Sequence, residues 1–192
     1  MGLPALFLFL GFYLYPALQN LQFATRRWDG ITEPEFVGFR NFTNLLTNDD
    51  LFYKTLGNNL EFTFLVVIFQ TMFALLFAVY LVNNSKTNIA LRTLYFFPTI
   101  LSSVSVGMIW LFLYDPNFGA LNLFFNNVGL SSFALNWLGE ENSALYAIAF
   151  TQVWFHTGQM MVVYIAGLQQ IPKELYEAAE VDGASRWKQF RN

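Results

Sequence analysis

Four stretches of this chain are apolar over the length that a bilayer demands. They run from about Leu3 to Phe23, Phe62 to Val82, Thr93 to Tyr114 and Ala144 to Leu168. A hydrocarbon core ~30 Å thick takes about 20 residues of helix at a rise of 1.5 Å each. Only helices and closed barrels satisfy every backbone N–H and C=O in lipid. A barrel strand is a stretch of about ten residues with alternating polarity, whereas these segments are longer and uniformly apolar. The sequence therefore predicts an all-α membrane protein with about four transmembrane helices. Charge distribution agrees. Only 12% of residues are charged, about half the roughly 25% of soluble domains, and they cluster between the apolar stretches.

The first stretch has the position of a signal peptide, but it lacks a basic start, its apolar part is too long, and no small-residue cleavage site follows. It is predicted to be an uncleaved span. Met1 then stands at the membrane edge, so a natural cytoplasmic leader is expected to be missing. The chain has no Cys, which removes disulfides, thiolate nucleophiles and Cys-based metal sites. The net charge of -3 comes with no basic stripe of the kind that nucleic acid requires.

The connections set an orientation. Residues 83–92 carry Lys86 and Arg92 and no acid, and the tail from Gln169 carries Lys173, Arg186, Lys188 and Arg191. Residues 24–58 are mixed in charge, and residues 115–142 carry Asp115, Glu140 and Glu141 with no Lys or Arg. Lys and Arg accumulate on the cytoplasmic side, which places residues 83–92, the tail and the amino terminus inside. Asn83 and Asn84 end the second span, and Pro98 lies near the inner end of the third. The outer loop reads as turn, short apolar helix from Ala120 to Val128, turn; that helix is too short to span and suits the interface. Trp137 and Tyr146 fit an aromatic belt.

Ion-coupled transporters keep carboxylates or Lys within the bilayer, and the second to fourth spans have none in their interiors; Glu61 sits at an outer edge. An energy source other than an ion gradient is expected. In the fourth span Gln152, His156 and Gln159 share one helix face, with Trp154 and Thr157 nearby. Two readings stand. The face lines a sugar path, where amides and imidazole bond hydroxyls and an aromatic ring covers a pyranose. Alternatively it glues helices together by hydrogen bonds. His156 is the one His of the chain, so no metal site is expected. Ser103 with Gly107 and Ala74 with Ala78 are small-residue pairs at i, i+4 that suit close helix packing.

The tail reads Gln170-Ile171-Pro172-Lys173-Glu174-Leu175-Tyr176-Glu177-Ala178-Ala179-Glu180-Val181-Asp182-Gly183-Ala184-Ser185-Arg186-Trp187-Lys188-Gln189-Phe190. Pro172 suits a helix's first turn, Glu174 and Glu177 its amino-terminal end, and Gly183 a left-handed stop. Ser185 is a plausible cap for a second short helix. The prediction is helix, tight turn, helix. Taken alone it is an amphipathic surface hook.

The string Glu177-Ala178-Ala179-x-x-Asp182-Gly183-Ala184 resembles the EAA loop of binding-protein-dependent ABC importer permeases. Ile171, Pro172, Glu174, Leu175, Trp187 and Phe190 extend the likeness to the sugar-permease branch, of maltose and glycerol-phosphate type. Phe118 to Asn122, Asn136 to Gly139, Trp154 to Gly158 and Ala166 to Gln169 are similar to further patterns of that family. Residues 56–192 look like its MetI-like transmembrane domain, partial and ending in the coupling loop; residues 1–55 resemble its variable lead-in, a first transmembrane helix and external loop. The family's loop runs on to two more spans, so this resemblance implies a carboxy-terminally truncated, incomplete bundle.

The resemblance implies a multi-pass subunit of the bacterial cytoplasmic membrane with no catalytic residues. It would work with a second permease subunit, a cytoplasmic ATPase that uses ATP and Mg, and a solute-binding protein that delivers carbohydrate. Glu177, Ala178, Ala179, Asp182 and Gly183 would couple to the ATPase. Competing readings are a permease for a non-sugar solute and a helical channel or scaffold without an ATPase. An intramembrane enzyme lacks any motif to support it.

Overall fold

The computed structural model describes residues 2–191. Met1 and Asn192 lie outside the described residues, as does the expected placement of Met1 at the membrane edge, and so do the side chains of Arg186 and Arg191. The chain divides into two compact units, Met1–Asn59 and Leu60–Asn192.

The first unit opens with α1 (Leu3–Ala24). A π turn at Leu10–Leu14 interrupts its regular winding, where the Tyr15 N–H bonds the Leu10 carbonyl five residues back. Pro16 follows directly, with no N–H to donate, and a widened turn absorbs such a defect without ending the helix. After α1, β1 (Arg26–Arg27) pairs antiparallel with β2 (Glu35–Phe36). Asp29 organises the turn between them: its Oδ1 accepts from the N–H of Ile31 at 3.0 Å and from the N–H and hydroxyl of Thr32, both at 2.8 Å. Asn41, on α2 (Arg40–Thr47), donates to the carbonyls of Ala24 and Arg26 at 2.9 Å each and so ties the hairpin to α2.

The next helix, α3, is Asp50–Leu81. It starts well before Phe62, inside what hydropathy suggested was loop. Asp49 Oδ1 accepts from the Phe52 N–H at 2.9 Å and caps the start. Winding continues through polar residues because helicity needs capping and propensity, not apolarity.

The third expected span is not one straight rod. Residues 86–96 form α4 (Lys86–Phe96), a 3₁₀ turn covers Phe97–Ile100, and α5 (Ser103–Leu113) leaves at 97°. Pro98 cannot donate to the preceding turn, and the Thr99 hydroxyl takes the Phe96 carbonyl at 2.7 Å. Leu101 and Ser102 are extended, and the Ser102 hydroxyl accepts from the Ser105 N–H at 3.2 Å as the cap of a new helix. The sequence held both signals, a proline and a serine cap, but the unbroken apolarity masked them.

The short helix α6 (Ala120–Asn127) forms where the sequence placed it. The long α7 (Glu141–Gln169) follows. By length and composition two helices, α1 and α3, are apolar enough to cross a membrane, or up to three crossings if the bent α4–α5 pair counts as one. The sequence reading expects about four, the last of them α7. At 29 residues α7 is long enough, but Gln152, His156, Thr157 and Gln159 lower its mean hydropathy, and it is not one of those two or three.

Two apolar clusters hold the second unit. Ala74, Ala78 and Leu81 of α3 pack with Met161 and Ile165 of α7, so the Ala74–Ala78 pair serves close packing. Val106 and Trp110 of α5 join Tyr114 and Ala147, and the Tyr114 hydroxyl donates to the Ala147 carbonyl at 2.8 Å. Gly107, by contrast, has nothing within 4 Å of where a Cβ would stand, so the Ser103–Gly107 pair makes no close helix contact among the described residues. The tightest approach is at Gly158, where a Cβ would come within 1.9 Å of the Tyr95 carbonyl oxygen. Only a glycine allows α7 and α4 to cross so closely.

Candidate functional site

The hook at the carboxy-terminal side of α7 forms as its residues direct. Pro172 (φ -58°, ψ 137°) is the N-cap of α8 (Lys173–Val181), one position before the first-turn place expected of it, and Glu174 lies in the first turn. Gly183 takes φ +71°. Its N–H bonds the Glu180 carbonyl at 3.0 Å, and the Ala184 N–H bonds the Ala179 carbonyl at 2.9 Å. These two bonds are the Schellman stop, which satisfies the last carbonyls of a helix and needs a left-handed residue. The Ser185 hydroxyl then accepts from the Lys188 N–H at 3.4 Å and starts α9 (Arg186–Arg191).

Glu177, Ala178, Asp182 and Gly183 are exposed on this hook, and Ala179 is half-buried. Exposure of two carboxylates beside small residues leaves a low surface with negative charge at its rim. Leu175, Val181 and Trp187 are exposed apolar side chains of the same hook. Between the hook and the ends of α3 and α7 lies a cleft of about 790 Å³, lined by Asn83, Asn84, Gln169, Lys173, Tyr176 and Phe190 among others.

A second polar locus lies along α7. Gln152 and His156 are half-buried and Gln159 is exposed, on the side away from the buried Val153, Thr157, Gly158 and Met161. Neither glutamine side chain makes a hydrogen bond among the described residues, and the buried Nδ1 of His156 has no partner there. The structure brings these three residues together. It does not bring Trp154 to them. That indole sits against Trp110, edge to face at 5.4 Å, beside an apolar pocket of about 460 Å³ lined by Phe73, Phe77, Tyr95, Pro98 and Gly158 among others. The Thr157 hydroxyl is likewise turned inward, onto the Val153 carbonyl.

Three polar links were not anticipated from the sequence. Arg92 donates through Nε to the Leu81 carbonyl at 2.8 Å and through Nη1 to Asn84 Oδ1 at 3.1 Å. The Trp137 indole donates to Asn122 Oδ1 at 2.8 Å. The Tyr146 hydroxyl donates to a Glu61 oxygen at 2.6 Å. They join residues 8 to 85 positions apart, where no helical periodicity betrays a pair.

A helical membrane protein with an exposed, glycine-stopped hook and an unpaired polar stripe on a neighbouring helix has the parts of a transport subunit. Comparison with known proteins assigns the family. Residues 70–192 match the binding-protein-dependent transport system inner membrane component family, and the chain belongs to it. It is 32% identical over 190 residues to a probable ABC transporter permease of Bacillus subtilis, a match covering 97% of this chain and 64% of that one. It is 36% identical to the diacetylchitobiose uptake system permease of Streptomyces coelicolor, over 98% of this chain and 56% of that one. Among solved structures, a bacterial ABC transporter involved in the import of the acidic polysaccharide alginate superposes with a TM-score of 0.83 at 26% identity, covering 99% of this chain and 63% of that chain. This chain thus spans less than two thirds of the length of these relatives. The two sequence relatives are named as permeases, transport proteins and not enzymes, in line with the sequence reading.

Proposed function

We propose that this chain is the membrane-spanning part of an importer permease that passes a carbohydrate through a bacterial cytoplasmic membrane by alternating access. The single observation that carries the reading is the exposed hook, with Glu177, Ala178, Ala179, Asp182 and Gly183 presented on a helix closed by a Schellman stop. A rigid, small-surfaced projection suits a docking cleft on a water-soluble motor. In this reading the motor is a cytoplasmic ATPase, which binds the ATP and magnesium. Glu177 pairs with one of its basic groups, and Gly183 holds the turn. A second permease subunit completes the path, an external solute-binding protein delivers the sugar, and the hook and the basic loop at Lys86 face the cytoplasm. Closure of the ATPase pair moves the hook, and the spans rock as rigid bodies.

The polar stripe of Gln152, His156 and Gln159 supports a carbohydrate cargo. These groups have no partner among the described residues, and lipid penalises unpaired polar groups, so protein, water or a hydroxylated solute covers them. Two relatives add to this: one is named for uptake of diacetylchitobiose and the other for import of alginate.

The test is site-specific crosslinking from Ala178→Cys in the full-length chain, expressed with its neighbouring transport genes. Capture of a nucleotide-hydrolysing subunit is the expected result. Labelling of that cysteine from the cell exterior, or capture of no ATPase, would refute the reading.

A further inference from the structure

The hook joins the rest of the second unit through residues 170–172, a tether of only three residues. An open cleft separates the two, lined by Tyr176 and Phe190 of the hook and by Val79 and Val82. A hook loosely set against its spans transmits little motion, so what fixes the tether's root decides how well it works as a lever.

That root is held by a network of neutral oxygens around one cation and one amide. α3 ends at Leu81 with its last carbonyls unsatisfied. Arg92 of α4 donates from Nε and Nη2 to the Leu81 carbonyl, from Nη2 to the Asn83 carbonyl at 3.1 Å, and from Nη1 to Asn84 Oδ1. A planar guanidinium fork can meet several acceptors at once, and its charge complements the negative end of the α3 dipole. Gln169, the last residue of α7, donates from Nε2 to the Val82 carbonyl at 3.0 Å and to the same Asn84 Oδ1 at 3.4 Å. Asn84 therefore stands between the two donors, and the ends of α3, α4 and α7 converge on it.

We propose that Arg92, Asn84 and Gln169 form a clamp that makes α3, α4 and α7 move as one body with the hook. These are positioning residues that act through the tether and touch no transported solute. The proposal rests on the reading of the hook as a coupling element. The simpler alternative is that Arg92 only caps α3. In that case Gln169 is dispensable, because Arg92 alone already covers the Leu81 and Asn83 carbonyls.

The chain has no Cys, so spin labels can be placed at Tyr80→Cys and Val181→Cys, where both native side chains are exposed. The full-length chain is assembled with its second permease and ATPase subunits in nanodiscs, and inter-label distances are measured without nucleotide and with ATP and magnesium. An intact clamp gives one narrow distribution. Gln169→Ala and Asn84→Ala each widen it at least twofold while ATP hydrolysis persists. Asn84 lies in an exposed turn, so its variant reads the clamp without disturbing a helix. Unchanged widths in both variants overturn the proposal. Widening confined to an Arg92→Lys variant also overturns it, by reducing Arg92 to a helix cap. If the unmutated complex neither hydrolyses ATP nor shifts its distance with nucleotide, the transport reading falls. The nucleotide-free widths still decide the clamp.

Discussion

Gly158 of α7 and Tyr95 of α4 meet backbone to backbone, with room for a hydrogen and no more. The obstruction is a main-chain carbonyl, which cannot swing aside as a side chain does. Gly158→Ala is expected to force the two helices apart, and Gly158→Val more so. Overpacking of this kind costs about 1–3 kcal/mol. Thermal unfolding of the full-length protein in detergent should show a lowered midpoint for Ala and a further drop for Val. An unchanged midpoint in both would mean that the helices do not cross here.

Asn122 is 5% exposed and uses both ends of its amide. Its nitrogen donates to the carbonyls of Pro116 at 3.2 Å and Leu135 at 2.9 Å, while its oxygen takes the Trp137 indole. Asn122→Leu removes three hydrogen bonds, to half-buried Leu135 and Trp137 and to exposed Pro116, each worth about 0.5–1.5 kcal/mol net. Trp137→Phe removes only one. A double-mutant cycle on unfolding free energy should find coupling of about 0.5–3 kcal/mol between the two sites, and additivity would break the assignment.

The carboxyl of Asp29 is held at about 2, below its ordinary 3.8, first by the Thr32 N–H and then by the N–H of Ile31 and the Thr32 hydroxyl. All these donors favour the charged form. Because the folded value is depressed, the turn's stabilisation is fully present above about 3.8 and is lost as pH falls toward 2. The carboxyl carbon of Asp29, followed by NMR from pH 6 downward, should titrate with a midpoint near the lower figure. A midpoint near that of a free aspartate would show that the turn is not formed.

Gly183 has φ +71° and open space where a side chain would go, so substitution there acts through the backbone alone. Left-handed backbone costs an ordinary L-residue roughly 1–2 kcal/mol, and Asn tolerates it best. Uptake by the full-length system should fall in the order Asn, Ala, Val, with Val at least tenfold down and the protein still in the membrane. Gly183→Asp compared with Gly183→Asn isolates the effect of added charge; in our reading Asp uncouples ATP hydrolysis from uptake. Normal uptake by the Asp variant would count against the hook as the coupling element.

Gln159→Ala should shift the order in which competing oligosaccharides inhibit uptake, since an amide that bonds hydroxyls is removed from the stripe. Expression and unfolding temperature should hold steady, because that side chain is exposed and makes no hydrogen bond among the described residues. An unchanged competition profile with lowered stability would return the stripe to helix packing.

Much of this was legible in the residue order. The hook was, down to its terminator: a proline, two early acids, a glycine and a serine are local signals, and local geometry answers to them. The α6 helix was too, bounded by Gly119 and Gly129. Helix ends were less so, because α3 starts at Asp50 by capping while hydropathy reports only where lipid is tolerated. The elbow at Leu101–Ser102 was hidden in a run that apolarity made look continuous. Trp154 and Gln152 are two residues apart, so helix geometry already turns them to opposite sides, and the structure shows what each side meets. The Arg92–Asn84–Gln169 network lay beyond reach, since nothing local announces that residues 84 and 169 are neighbours.

The elbow carries a consequence for where water can reach. The 11 residues of α5 extend only about 16 Å, roughly half of a hydrocarbon slab. Its first turn has amide hydrogens that no preceding turn accepts, and the Ser102 hydroxyl covers one of them. Oil cannot solvate the remainder. The corner must therefore open onto headgroups, another subunit or an aqueous vestibule, which makes it a natural place to look for a wet seam through the assembled protein.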